Sequence, residues 1–195
     1  MEIVALDVET ANADMASICQ IGMAHYVNRE VVDEWKTYVD PEDYFSCINI
    51  SIHGINEEIV KGAPTFSGIA DELSRRLDGK TVVCHTHFDR VSLQQCFLKY
   101  KIVMPSLQWL DSAQVARRVW NEFSRVGYGL TNICGVLGYD FMHHDALEDA
   151  KACAFVLFSA TDKSGIDVDG WVDLIKRPIG YRYVGPGVVR AGNPE

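Results

Sequence analysis

A mixed α/β sheet covered by helices on both faces is the fold class this sequence predicts, and three observations predict it. Two adjacent strand-like runs near the amino end are joined by a two-residue turn, which reads as a hairpin. Helical and strand-like periodicities then alternate down the chain, as crossover connections of a partly parallel sheet require. Finally, 195 residues that are 48% hydrophobic, with a mean hydropathy of −0.02, suffice for one domain with a sizeable core.

Taken in order, Glu2 to Val8 reads as a buried strand that becomes polar at Asp7 and Glu9. Ile18 to Val27 and Glu30 to Val39 are the hairpin strands, with Asn28-Arg29 as the turn, and Asp40-Pro41-Glu42-Asp43 is a second turn. Pro64 and the N-cap candidate Thr65 open a helix on Phe66, Ile69, Ala70, Leu73 and Leu77 that ends near Gly79. Thr81 to Cys84 is a short strand, Asp89 to Tyr100 a helix and Leu107 to Leu110 another strand. Helices follow at Ser112 to Trp120 and at Leu130 to Leu137, the latter stopped by Gly138. The last strong helix starts at Asp145, where Asp145 and Glu148 form a capping-box pattern, and runs to about Thr161. From Pro178 to Glu195 the pattern collapses into Gly, Pro and isolated apolar residues, so residues 1–177 are expected to form the domain and 178–195 a Gly/Pro-rich tail or linker.

Composition narrows the function. No apolar run reaches the roughly 18 residues of a membrane span, and Met1-Glu2 leads straight into Ile3 without a signal peptide. Six scattered cysteines without a Cys-x-x-Cys pair read as core or free thiols in a reducing, cytoplasmic setting. A net charge of −9 argues against a protein that coats DNA, since that affinity rests on a Lys/Arg excess. It leaves room for an enzyme that grips a strand end through bound metal ions, which reverse the sign of an acidic cleft.

The chemistry lies in short acidic segments. Asp7 and Glu9 in Ala5-Leu6-Asp7-Val8-Glu9-Thr10 point to one side of a strand, about 6.6 Å apart along the backbone. That spacing suits two carboxylates sharing a pair of metals about 4 Å apart. Alone, it equally describes a strand end meeting water. Asp89, after Phe88, stands where a buried strand feeds a helix, a favoured ligand position in open sheets; its plainer reading is the helix N-cap. His85 and His87 lack a third ligand at zinc spacing and read as surface or supporting histidines. His144 and Asp149 flank a helix start at i and i+5, so both can face one cleft, with the imidazole suited to accept a proton near neutral pH. The alternative there is a polar capping loop. His143, as its neighbour, is expected to point elsewhere. In Ile52-His53-Gly54, Gly54 permits a tight turn while Ile52 and His53 offer apolar and stacking surface; the alternative is a helix-entry turn with Ile52 buried. Phe88 could stack on a base or sugar, and is as readily core.

In this order and on these elements, the segments resemble the DEDDh group of 3′–5′ exonucleases, the DnaQ-like family that includes the proofreading ε subunit of bacterial replicative polymerase. The resemblance runs from about Ile3 to Phe158. It implies an RNase H-like fold, a five-stranded mixed sheet flanked by helices on both faces. It also implies that Asp7, Glu9, Asp89 and Asp149 bind two divalent ions, Mg²⁺ or Mn²⁺, that His144 is the general base, and that Thr10, Ile52, His53 and Phe88 meet the terminal nucleotide. The implied substrate is a nucleic acid 3′ end, DNA ahead of RNA, with a polymerase or a fused C-terminal module as partner and no membrane. Thr86 departs from the Asn usual in the family; its hydroxyl still hydrogen-bonds, so altered substrate handling is expected and not lost activity. An exoribonuclease, or a non-catalytic module binding nucleic-acid ends or a polymerase, are the competing readings.

Overall fold

The structure is a computed structural model that describes residues 1–177, 181–183 and 188–190. Strands β1 (Glu2–Thr10), β2 (Ile18–Val27) and β3 (Glu30–Tyr38) form an antiparallel meander. On the other side of β1, β4 (Thr81–Cys84) and β5 (Gln108–Asp111) join in parallel, giving the order β3-β2-β1-β4-β5. The hairpin turn has positive φ at both central residues, 51° at Asn28 and 71° at Arg29, as the twist-matched two-residue loop demands.

Alternation along β1 sorts its side chains between two cores. Val4, Leu6 and Val8 pack with α2 (Phe66–Leu77) and α3 (Phe88–Lys99) on one face. Ile3 and Ala5 face α4 (Ser112–Val119), α5 (Leu130–Leu137), α6 (Ala146–Ser164) and α7 (Val168–Ile175) on the other. Asp7 and Glu9 continue that second row, so the polar end of β1 emerges where α6 begins.

The α6 start lies almost against the sheet. Gly22 stands opposite Asp7 on β2, and a Cβ there would come within 2.2 Å of the backbone of Ala146 and Leu147. No side chain fits that contact. Two residues along β2, Gln20 Oε1 accepts the Ala146 N–H at 2.9 Å, tying the first turn of α6 to the strand opposite Glu9. Gly22→Ala is therefore expected to push the α6 start off the sheet, destabilising by about 1–3 kcal/mol. A shift of about 1 Å in the Asp149 carboxylate would lower turnover on the order of 10²-fold. A melting curve and a rate measurement on this variant check both, and unchanged turnover would contradict the stated role of the contact.

Several expected elements differ in detail. Thr65 precedes α2 as N-cap, but its hydroxyl meets Ser67 Oγ and makes no cap bond. Asp145 caps α6 by accepting from Leu147 and Glu148 N–H, whereas the Glu148 side chain turns to Lys151, so the capping box is half made. Two helices were not expected: α1 (Cys47–His53) and α7. The tail expected over 178–195 falls largely outside the described residues; within it, β6 (Tyr181–Tyr183) pairs antiparallel with β7 (Val188–Arg190). No described helix is long and apolar enough to cross a membrane, and all six cysteines are free, five of them buried.

Candidate active site

Four elements converge on one cleft. β1 contributes Asp7 and Glu9, α3 contributes Asp89 from its first turn, and α6 contributes Asp149, with His143 and His144 in the loop before it. Asp7, Glu9 and Asp149 offer oxygens lying within 4.8 Å of one another. Asp89 is 2% exposed and is not the N-cap; its Oδ1 accepts the Val8 N–H at 3.1 Å, which clamps α3 to β1 between the two strand carboxylates.

Asp149, 3% exposed, is held by both of its oxygens. Oδ2 accepts the His144 backbone N–H at 2.7 Å, and His143 Nδ1 lies 2.7 Å from Oδ1. The first bond depends on a left-handed backbone at His144, φ 67°, a conformation His tolerates better than most side chains. The His144 ring then sits with Nδ1 3.6 Å from Glu9 Oε1. The expectation that His143 points elsewhere is corrected here. The turn stacks the two imidazoles at 3.8 Å, so both rings border the cleft.

Burial dominates the electrostatics. It pushes Glu9 up to about 8, with the charges of Asp149 and Asp89 adding to it. Burial also lifts Asp89 to about 7, against the Val8 N–H and its own, which pull it down. Asp7 is raised well above the usual carboxylate range by burial first, then by Asp89, Asp149 and Glu9. Asp149 is raised by burial against the opposing pull of His143. Lys36, a nearby cation, is bonded to Asp145 at the rim and does not enter the cluster. No Lys or Arg among the described residues pairs with the cluster, and an all-carboxylate donor set in a desolvated cleft fits hard divalent cations.

A stability effect follows from these directions. Carboxyls whose folded pKa is raised cost nothing below the unfolded carboxylate range, and they destabilise progressively as pH rises through their folded values. The metal-free protein is thus expected to lose melting temperature as pH rises from roughly 5 through the raised values of Asp89, about 7, and Glu9, about 8. Mg²⁺ or Mn²⁺ should restore it, by binding the native state alone. Thermal melts in EDTA and in metal across that range check this, and a pH-independent metal effect would contradict it.

Other residues support the walls. His85 bonds through Nε2 to the Tyr128 carbonyl and through Nδ1 to Ser112 Oγ, both at 2.8 Å, so it pins the 121–129 loop beside the cleft. His87 is exposed. Phe88 is half-buried, packed on the α2/α3 core with one side lining the cleft. Ile52 is 48% exposed near the end of α1, and Gly54 (φ 76°) terminates that helix, so the segment is a helix end and not an entry turn. Both His53 nitrogens are engaged, Nε2 with the Thr10 carbonyl and Nδ1 with the Ile55 N–H, each at 3.0 Å. Burial also lowers its pKa, which leaves a neutral ring with only its face to offer. Thr10 is buried, and its carbonyl also receives Asn49 Nδ2.

Thr86 has φ 79°, a region costly to a β-branched residue and natural to Asn. Its N–H donates to Asp111 Oδ1, and its hydroxyl faces the Phe88 N–H of its own turn, outside the cleft lining. Thr86→Asn is expected to stabilise by about 1 kcal/mol, raising the melting temperature by about 3 °C. A decrease would show that the turn is not strained.

Comparison with known proteins agrees with this geometry. The exonuclease family model, RNase_T, matches residues 4–157. The chain is 26% identical over 166 residues to a PolC-type DNA polymerase III of Caldanaerobacter subterraneus subsp. tengcongensis, covering 83% of this chain and 12% of that protein. It is 26% identical over 167 residues to the 3′–5′ exonuclease DinG of Bacillus subtilis, covering 82% and 18%. The chain thus spans under a fifth of the length of these relatives. Among solved structures, exonuclease X in complex with 5′ overhanging duplex DNA superposes with a TM-score of 0.71 at 20% identity, over 89% of this chain and 99% of that one. The nuclease domain of 3′hExo, a DEDDh family member bound to rAMP, superposes at 0.65 and 20% identity, over 83% and 92%. With an RNase H-like sheet and a family match across most of its length, the chain belongs to the exonuclease family, within its DnaQ-like 3′–5′ group.

Proposed function

We propose that this domain is a two-metal 3′–5′ exonuclease that trims single-stranded or frayed DNA ends and releases 5′-mononucleotides. The observation that carries the reading is the convergence of Asp7, Glu9 and Asp149 within 4.8 Å, with Asp89 clamped beside them and His144 over Glu9. Asp7, Glu9 and Asp149 would hold one divalent ion, and Asp7 with Asp89 the other. When bound, two Mg²⁺ or Mn²⁺ ions supply the positive charge that acidifies the attacking water and stabilises the leaving 3′ oxygen. His144, its pKa lowered chiefly by burial, is neutral and receives the water's proton on its ring. Ile52, Phe88 and the His53 face cover the terminal nucleotide, and Thr10 acts through its backbone, which fixes His53.

DNA is favoured because the curated relatives are a DNA polymerase and an exonuclease carried on much longer chains. That context also supports a cytoplasmic proofreading or repair role beside a polymerase or a fused module. Mononucleotide release from matched DNA and RNA oligomers, linear and circular, tests the reading. Mg²⁺-dependent release from linear DNA with circles spared is expected. Preferential digestion of RNA, or nicking of circles that an Asp7→Asn control lacks, would overturn it.

A further inference from the structure

Nine of the sixteen described Lys and Arg side chains are paired with a carboxylate; of the other seven, Lys99 and Arg118 donate to backbone carbonyls. Along β3, α2, α6 and their loops, Lys and Arg side chains are held in ion pairs with Asp or Glu. Arg90, Arg117 and Arg125 have no carboxylate partner among the described residues. Arg90 lies at the carboxyl ends of β4 and β5, Arg117 against Tyr128, and Arg125 in the 121–129 loop that His85 holds.

Their placement follows from the local structure. Arg90 succeeds Asp89, and as the carboxylate turns inward the guanidinium is left exposed on the outer face of α3, beside a small pocket also lined by His87, Gln114 and Asp111, whose oxygens are bonded to Thr86 and Gln114. One turn along α4 from Gln114, Arg117 lies 5.3 Å over the Tyr128 ring. Tyr128 is in turn fixed by His85, which lines the cleft with Asp7 and Phe88. Arg125 is exposed in the same pinned loop, three residues before Tyr128. A guanidinium already neutralised by a carboxylate offers little to a polyanion, whereas an unpaired one is weakly hydrated and matches a phosphate with two parallel donors.

We propose that Arg90, Arg117 and Arg125 form a phosphate track that receives the backbone of a single polynucleotide strand upstream of the nucleotide held in the cleft. This rests on the exonuclease reading for the position of the 3′ end, but not for the binding itself. The track explains how a chain of net charge −9 holds a strand whose end must enter an acidic site. The small pocket beside Arg90 lies at the carboxyl ends of β4 and β5, the same end of the sheet as the cleft carboxylates of β1.

Binding of a fluorescent dT oligomer, followed by anisotropy in EDTA so that no hydrolysis occurs, tests the track independently of turnover. Each contacted phosphate contributes a slope of about 0.7 to the salt dependence of single-strand affinity. The triple variant Arg90→Gln, Arg117→Gln, Arg125→Gln should therefore flatten that slope by about 2 and weaken binding about tenfold or more at low salt. Arg→Lys at the three positions should keep most of the slope, and Lys101→Gln, a cation at the far end of α3, should leave it unchanged. Hydrolysis of the p-nitrophenyl ester of thymidine 5′-phosphate, which has no upstream backbone, should be the same in wild type and triple variant. An unaltered slope in the triple variant overturns the track. Failure of the wild-type protein to cleave the ester or any strand would instead refute the exonuclease reading.

Discussion

Asp7→Asn is expected to lower turnover by about 10³-fold or more while raising the melting temperature of the metal-free protein at pH 8. Both effects have one origin. Asp7 is half-buried, and desolvation first and then three neighbouring carboxylates raise it well above the usual carboxylate range. An amide removes that repulsion, so the empty site relaxes. The same change removes a ligand shared by both proposed ions, and a loss of several kcal/mol of transition-state charge stabilisation is a factor of ten for each 1.4 kcal/mol or so. Steady-state rates with saturating Mg²⁺, and melts in EDTA, check the pair. If Asp7→Asn melts lower than wild type without metal, the carboxylates are not in conflict and the electrostatic account fails.

His144→Ala should cut turnover by about 10² to 10⁴, the usual contribution of a positioned base, with little change in the metal concentration needed for half-maximal rate. His143→Ala should act in the other sense. Its ring holds Asp149 Oδ1 at 2.7 Å, so its loss should raise the metal requirement about 10- to 100-fold, as loss of an orienting partner of a ligand does. Rates measured across an Mn²⁺ titration separate the two. The roles assigned here are wrong if His143→Ala is the variant that loses turnover at saturating metal.

Much of the scaffold was legible in the sequence because its signals are local. Alternation marks β1, the Asn28-Arg29 pair accepts positive φ and marks the hairpin, and Gly138 marks the end of α5. By contrast, α1 has no buried residue, hence no apolar stripe to announce it. α7 did carry such a signal in Val168, Trp171, Val172 and Leu174 behind the N-cap Asp167, and helical spacing would have found it. The acidic residues of the cleft were readable as types in order, but three features of the site were not. That Gly22 admits the backbone of α6 depends on a register between strands. The stacking of His143 on His144 depends on one left-handed residue. The structural role of His85 depends on a carbonyl 43 positions away. Such contacts are made between elements, and periodicity within an element carries no trace of them.

The central claim, that these carboxylates form a two-metal site for a 3′-terminal nucleotide, is tested most directly by crystals grown with Mn²⁺ and thymidine 5′-monophosphate, with data collected at the manganese edge. Two anomalous peaks are expected, one among Asp7, Glu9 and Asp149 and one between Asp7 and Asp89, with the nucleotide phosphate against them. Absence of anomalous density in the cleft at Mn²⁺ concentrations that support hydrolysis, or ions bound elsewhere, would contradict the account.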